Sequence, residues 1–159
     1  MAKVYNREMA SVYAQKWALS SNPQFYHFGG IGGDCTNFVS QCILAGGAEM
    51  NYNRENGWYY INSNRRSPSW TSVEFLERFL LSNNSVGPVA RLAPIDELEV
   101  GDIIQLRQNP THFNHTVIIS KIEDGQIYVC AHSNDALNKP LESYFYLELK
   151  GLHIEKLLV

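Results

Sequence analysis

Apolar residues recur at helical spacing in three segments of the N-terminal half of the chain, at about 6–20, 36–45 and 69–82. Asn6 is a suitable N-cap for the first segment, because its side chain can accept a hydrogen bond from a first-turn amide. The pattern therefore predicts three amphipathic helices. Their predicted inward faces consist of Tyr5, Met9, Val12, Tyr13, Lys16, Trp17, Phe38, Val39, Cys42, Ile43, Trp70, Val73, Leu76, Phe79 and Leu80.

The C-terminal half changes to the alternating pattern that is typical of strands. Residues 49–69, in between, are polar and aromatic and predict a long loop. No repeat, low-complexity tract or linker interrupts the chain, so we expect a single domain over residues 1–159. Helices followed by an antiparallel sheet predict an α+β fold. The predicted strands are 102–106, 115–122, 126–132 and a late apolar segment at about 144–158.

The second and third predicted strands form a hairpin, because Asp124-Gly125 is a strong turn signal. His115 begins the first of these strands and His132 ends the second, so both lie at the same end of the hairpin. With a two-residue loop, His132 is opposite Val117, on the same face as His115, and Asn134 is opposite His115. The sequence thus predicts a histidine with a polar partner at one rim of the sheet.

The segment GGIGGDCTNFVSQ, residues 29–41, places Cys35 at the start of the second helix. The positive end of the helix dipole favours the thiolate form of a cysteine there. Asp34 is placed to cap the helix, and the glycines would let a substrate pass close to the backbone. With His115 as base and a polar group to orient it, these residues predict a Cys–His hydrolase in which the Cys35 amide stabilises the oxyanion.

Charge and cysteine content narrow the possible functions. A net charge of −3 provides no basic surface, so nucleic acid is not an expected partner. The longest apolar runs are too short to span a membrane.

The N-terminal MAKVYNREMASVY lacks the apolar core of a signal peptide, which predicts a cytoplasmic protein, with a missing upstream export segment as the alternative. The three cysteines, Cys35, Cys42 and Cys130, are odd in number and predict free thiols.

Three runs, FYHFGGIGGDCTNFVSQ, LEVGDIIQL and HTVIISKIEDGQIYVCAH, resemble the NlpC-type papain-like cysteine hydrolases of bacterial cell-wall turnover. The chain is more similar to the bacterial family described as "putative amidase domain", whose members share YNRE, GGDCTNFVSQ, GWYY, SW, GD and AH…DALN in this order. The resemblance extends from Tyr5 to about His153. It implies a circularly permuted papain-like fold and cleavage of an amide bond in peptidoglycan or a peptide, without a cofactor or metal.

The resemblance also implies roles for individual residues. In the NlpC pattern a histidine at the end of the next strand completes the triad, which assigns His132 to orient His115. A tyrosine upstream of that family's GG supplies a hydroxyl near the nucleophile, and the matching residue is Tyr26 in YHFGG. Asp135, in HSNDALN, and Asn134, from the hairpin geometry, are the alternatives to His132 as the orienting residue.

Two other classes of function compete with a cysteine hydrolase. A zinc hydrolase could use His112, His115 and His132, although the three-residue step of HFNH on a loop lacks the helical geometry of a zinc-binding H-E-x-x-H. A papain-like scaffold without catalysis could bind the cell wall or another protein. The joint presence of Cys35, Asp34 and His115 favours the enzyme over the scaffold.

Overall fold

The computed structural model describes residues 1–29 and 33–159. Its helices are α1 (Arg7–Trp17), α2 (Asp34–Ala45), α3 (Pro68–Thr71) and α4 (Val73–Ser82). Its strands are β1 (Ala2–Lys3), β2 (Tyr60–Asn62), β3 (Arg65–Arg66), β4 (Gly87–Ala93), β5 (Ile103–Arg107), β6 (His115–Glu123), β7 (Gln126–Ala131), β8 (Ala136–Pro140) and β9 (Glu148–Leu158). None of these helices is long and apolar enough to cross a membrane.

Seven strands form one sheet in the order β1-β9-β5-β6-β7-β8, with β4 also paired to β9. Every pairing in it is antiparallel, and α1 and α2 pack against β6. Ile118 belongs to the apolar cluster on the helical side, and its neighbours Val117 and Ile119 belong to a second cluster on the other side. The predicted α+β architecture is therefore confirmed.

The first helix begins as predicted, but its buried face is only partly the predicted one. Asn6 accepts a hydrogen bond from the Met9 amide at 3.0 Å. Met9 and Val12, predicted to face inward, are 56% and 58% exposed, whereas Ala10, Ser11 and Ala14 are buried. Small side chains let the helix approach the sheet closely, and the Ser11 hydroxyl donates to the Ser120 carbonyl at 2.6 Å. Tyr5 is buried and Tyr13 and Trp17 pack partly buried against the core, so the predicted face was wrong at Met9 and Val12.

Several short elements were not predicted from the sequence. The predicted third helix is two helices, with Ser72 capping α4 through the Phe75 amide at 3.2 Å. The predicted loop at 49–69 contains the β2–β3 hairpin. Strands β4 and β8 were not predicted because each contains a proline, Pro88 or Pro140. Both strands pair with one neighbour only, where a missing N–H is tolerated.

A bulge in β6 changes the predicted register of the central hairpin. Lys121 pairs with Tyr128 as the two-residue turn requires, but Ile119, not Ser120, pairs with Val129. The extra residue, Ser120, donates its hydroxyl to Asn138 Oδ1 at 2.6 Å. One inserted residue exchanges the two faces of a strand. Side chains at the end of β7 therefore point to the face of the sheet opposite to the predicted one.

Candidate active site

Helix α2 holds Cys35 in its first turn, as predicted. Gly33 is the N-cap, with φ of 89°, and Asp34 is the first helical residue. Asp34 therefore does not cap the helix, which corrects the prediction. The first helical hydrogen bond joins the Asn37 amide to the Gly33 carbonyl at 2.9 Å. The amides that precede Asn37 belong to the first turn, whose N–H groups have no partner within a helix.

Gly33 is required at the start of α2 for two reasons. Its positive φ is in the left-handed region that favours glycine. A Cβ at this position would also lie 2.8 Å from the Thr71 carbonyl oxygen. The prediction that the glycines of GGIGG admit a substrate chain concerns residues 29, 30, 32 and 33, of which 30 and 32 lie outside the described residues.

The Cys35 thiol is buried between α2 and β6, with an exposed fraction of 5%. Burial raises the pKa of the thiol, and this effect outweighs the opposing interactions with the Thr116 backbone and with Thr36. The Thr36 hydroxyl lies 3.7 Å from Cys35 Sγ and 3.0 Å from the Thr116 hydroxyl. The Cys35 side chain is therefore a thiol at neutral pH, contrary to the prediction that the helix start favours a thiolate.

Asp34 joins three segments of the chain through its carboxylate. Oδ1 accepts hydrogen bonds from the Phe28 amide at 2.9 Å and from Asn37 Nδ2 at 3.0 Å. Oδ2 lies 2.7 Å from His132 Nδ1 and 3.3 Å from His27 Nε2. Burial would raise the pKa of Asp34, but these hydrogen bonds, with that of His132 foremost, lower it below its usual value. The carboxylate is ionised at neutral pH.

Both ring nitrogens of His132 are occupied. Nδ1 faces Asp34, and Nε2 lies 2.7 Å from the Trp17 carbonyl oxygen. The ring also stacks on Phe38, with centroids 4.1 Å apart. Burial would lower the pKa of His132, but the hydrogen bonds to Asp34 and Trp17 raise it. His132 therefore forms a buried pair with Asp34 and has no nitrogen left to orient His115, contrary to the role assigned from the sequence.

His115 is buried at the start of β6 but is not hydrogen bonded to Cys35 within the described part of the chain. The Thr116 side chain points toward α2, so strand alternation directs His115 to the opposite face. Its ring lies 6.2 Å from that of Tyr144. Burial, with a smaller contribution from the Lys139 charge, lowers the pKa of His115 to about 4. The imidazole is neutral at neutral pH, the form that can accept a proton.

The other residues predicted for the site lie around this centre. Tyr26 is half exposed, its ring packs on Phe28, and its carbonyl accepts from Asn37 at 3.0 Å. Asn134 follows β7 in a left-handed turn, with φ of 70°. The charge of Asp135 makes a minor contribution to the raised pKa of His132. Within residues 1–29 and 33–159, neither of the last two is hydrogen bonded to His115, so their proposed orienting role stays a prediction.

The predicted zinc ligands are not gathered into one site. His112 is exposed and hydrogen bonded to the Thr111 hydroxyl at 2.8 Å. In the described residues, the group of metal-ligating side chains that does converge is His27, Asp34 and His132, whose ligand atoms all lie within 4.8 Å of one another. Sequence reasoning missed His27, because no spacing along the chain relates it to His132.

Comparison with known proteins identifies the family. A family model described as "Putative amidase domain" matches residues 4–154. The chain belongs to this family. It is 34% identical over 126 residues to the uncharacterized protein YhbB of Bacillus subtilis strain 168, a match that covers 77% of this chain and 39% of YhbB. It is 28% identical over 148 residues to the uncharacterized protein YjcM of the same organism, covering 88% of this chain and 34% of YjcM.

The chain thus spans between a third and two fifths of the length of these two relatives. No solved structure matches it. The family description supports the hydrolysis of amide bonds as the activity of this domain, and the resemblance stated from the sequence is confirmed at that level.

Proposed function

We propose that this domain hydrolyses an amide bond by nucleophilic attack of the Cys35 thiol, with His115 as the general base. The observation that carries the proposal is the position of Cys35 in the first turn of α2, packed against the strand that begins with His115. First-turn amides can stabilise an oxyanion that develops beside the sulfur. The membership of the putative amidase domain family supports the same bond type.

In this mechanism, Cys35 Sγ attacks the carbonyl carbon of the amide while its proton passes to His115. The tetrahedral oxyanion is stabilised by the Cys35 backbone N–H, with the Tyr26 hydroxyl as a second donor. His115 then protonates the leaving amine, and a thioester remains on Cys35. A water molecule, deprotonated by His115, attacks the thioester and releases the carboxylic acid and the free thiol.

The mechanism requires the His115 ring to turn toward the sulfur. The Thr116 backbone interacts with the Cys35 thiol, and His115 is the adjacent residue on the strand, so its Cα is close to the nucleophile. Because the side chain leaves the opposite face of β6, this movement requires a backbone change at the first residue of the strand as well as a change in χ1. Catalytic hydrogen bonds are often long in unliganded enzymes and tighten when substrate binds.

Asp34 and His132 act in this proposal as positioning residues. Their pair ties the first turn of α2 to the end of β7, and the contact of His132 with Trp17 adds the end of α1. The pair therefore sets the position of Cys35 without exchanging protons with the substrate. Asn134 and Asp135 are the remaining candidates to orient His115 once its ring has turned.

The proposed substrate is an amide bond of peptidoglycan. This choice is supported by the resemblance to NlpC-type cell-wall hydrolases, as is the proposal that the fold is a papain-like variant. The contact between the nucleophile helix α2 and the strand β6 is consistent with such a variant, since the Thr36 and Thr116 hydroxyls join the two elements.

The experiment is an incubation of the purified protein with peptidoglycan fragments and with synthetic peptides, followed by mass spectrometry of the products. We expect one new amine and one new carboxylic acid per cleaved bond. Cys35→Ala should abolish product formation, and Cys130→Ala, a matched change at a buried thiol outside the site, should retain it. Circular dichroism would check that both variants are folded.

Two results would contradict the proposal in different ways. Cleavage of peptides but not of peptidoglycan fragments would reject the substrate and keep the cysteine mechanism. Wild-type turnover by a folded Cys35→Ala variant would reject the mechanism itself.

A further inference from the structure

Three side chains from separate segments converge beside the first turn of α2. His27 precedes the helix, Asp34 is its first residue, and His132 follows β7. Their ligand atoms, His27 Nε2, Asp34 Oδ2 and His132 Nδ1, lie within 4.8 Å of one another. We propose that these three residues form a binding site for a divalent transition metal of the Zn²⁺ class.

The donor set has the composition and spacing that such an ion requires. Two imidazole nitrogens and one carboxylate oxygen are common ligands of Zn²⁺ in sites that keep a fourth position for water. Tetrahedral bonds of about 2.05 Å place neighbouring ligand atoms about 3.3 Å apart. His27 Nε2 and Asp34 Oδ2 are already at 3.3 Å, and His132 Nδ1 is 2.7 Å from the same oxygen. To reach tetrahedral spacing, His132 Nδ1 must move away from Asp34 Oδ2 by less than about 1 Å, and the two imidazole nitrogens must move closer to each other.

Further hydrogen bonds fix the side chains of two of the proposed ligands, His132 and Asp34. The Trp17 carbonyl accepts from His132 Nε2, so that nitrogen keeps its hydrogen. Metal-binding histidines usually donate their second N–H to a carbonyl in this way. Nδ1 is the atom directed at the site, and coordination there releases to solvent the proton that Nδ1 donates to Asp34 Oδ2. Asp34 Oδ1 is held by the Phe28 amide and the Asn37 side chain, which leaves Oδ2 for the ion.

The site also has an entry path. His132 and Asp34 are buried, with 3% and 1% of their side chains exposed, whereas the His27 side chain is 49% exposed. An ion can therefore reach the buried oxygen past His27. Coordination through His27 Nε2 moves the ring hydrogen to Nδ1, so the contact of that atom with the Gly29 amide, which is 3.3 Å long, is exchanged for water.

A bound ion would fasten the segment around His27 to α2 and to the end of β7. None of the three ligands is the proposed nucleophile or base, so metal binding can be measured separately from hydrolysis. The site also differs from the zinc hydrolase considered from the sequence, which used His112 and His115 with His132.

The test is a titration of the full chain with Zn²⁺ alone at neutral pH, in competition with a chromophoric chelator. We expect one saturable equivalent per chain and a rise in the melting temperature. His27→Ala should weaken binding by at least about tenfold, since even outer contacts of metal ligands contribute about 10- to 100-fold in affinity. His112→Ala, at an exposed histidine outside the cluster, and Cys35→Ser should bind as the wild type does.

Any of three results would overturn the proposal. The first is the lack of saturable binding by the wild type, which would leave Asp34 and His132 as a simple ion pair. The second is wild-type affinity in His27→Ala. The third is loss of binding in Cys35→Ser, which would assign the metal to the thiol. Because His27 is exposed, its variant should fold even if changes at Asp34 or His132 do not. The activity assay with Cys35→Ala reports separately on hydrolysis.

Discussion

Asp34 Oδ2 and His132 Nδ1 lie 2.7 Å apart in the interior of the protein, although 98 residues separate them in the chain. Both side chains are almost completely buried, and hydrogen bonds satisfy the other oxygen of the carboxylate and the other nitrogen of the ring. Removing one partner of such a pair leaves an uncompensated buried charge. The pair therefore links the start of α2 to the sheet, and its loss should affect stability and the proposed activity together.

Asp34→Ala and His132→Ala should each lower the free energy of unfolding by about 3–5 kcal/mol. The double variant should lose less than the sum of the two, because neither residue is then left facing a missing partner. Urea unfolding of the wild type, both single variants and the double variant, in buffer with a chelator, measures this coupling. His27→Ala is the control, and it should stay within about 0.5 kcal/mol of the wild type because its side chain is half exposed. Additive losses at Asp34 and His132 would show that the pair is not coupled.

Gly33→Ala should destabilise the protein and reduce its activity. The new Cβ would meet the Thr71 carbonyl oxygen at 2.8 Å, in addition to the strain of a positive φ. Gly125→Ala is a matched control, since Gly125 also has a positive φ, of 75°, but a Cβ added there would have nothing within 4 Å. The left-handed conformation costs a non-glycine residue about 1–2 kcal/mol. We expect Gly125→Ala to lose about that amount and Gly33→Ala to lose more, by urea unfolding. Equal losses would exclude an effect of Thr71.

His115 should make the protein less stable in acid. Its pKa is about 4 in the folded protein and 6.5 without the fold, so the unfolded chain binds the proton more readily. Stability from this group is fully present above pH 6.5 and is lost as the pH falls toward 4, by up to about 3 kcal/mol at about 1.36 kcal/mol per pH unit. The His115 ring lies 6.2 Å from that of Tyr144, over which Lys139 packs, and the lysine charge acts in the same direction as burial.

His115→Gln removes this titration. Urea unfolding at several pH values between about 4 and 7 should therefore give a smaller acid loss for the variant than for the wild type, with the wild-type slope confined to this range. Parallel pH profiles for the two proteins would contradict the burial of a neutral imidazole at this position.

The kinetic effects of the two proposed catalytic residues should differ from those of the positioning pair. Cys35→Ser and His115→Gln should each lower kcat by at least about 100-fold, since a positioned acid or base contributes about 10²–10⁴-fold. Both should stay within about 2 kcal/mol of the wild-type stability at neutral pH. Measurement of kcat and of urea unfolding on the same preparations separates these cases. Normal kcat in His115→Gln would assign the base to another residue.

Local signals were sufficient for a large part of the structure. The cap at Asn6, the start of α2 at Cys35 and the Asp124-Gly125 turn were predicted because each depends on neighbours along the chain. The same signals predicted the α+β class, since periodicity changes from helical to alternating in the middle of the sequence. They failed for part of α1, where small residues face the sheet and Met9 and Val12 are exposed.

The composition of the site was decided by tertiary structure. A single extra residue, Ser120, shifts the register of β7, so His132 meets Asp34 instead of His115. His27 joins them because His27 and Phe28 contact the carboxylate of Asp34 in the folded chain. The sequence by itself determined that a cysteine lies in the first turn of a helix in this protein. Which side chains surround that cysteine depends on the sheet register and on contacts between distant segments, and neither is set by local periodicity.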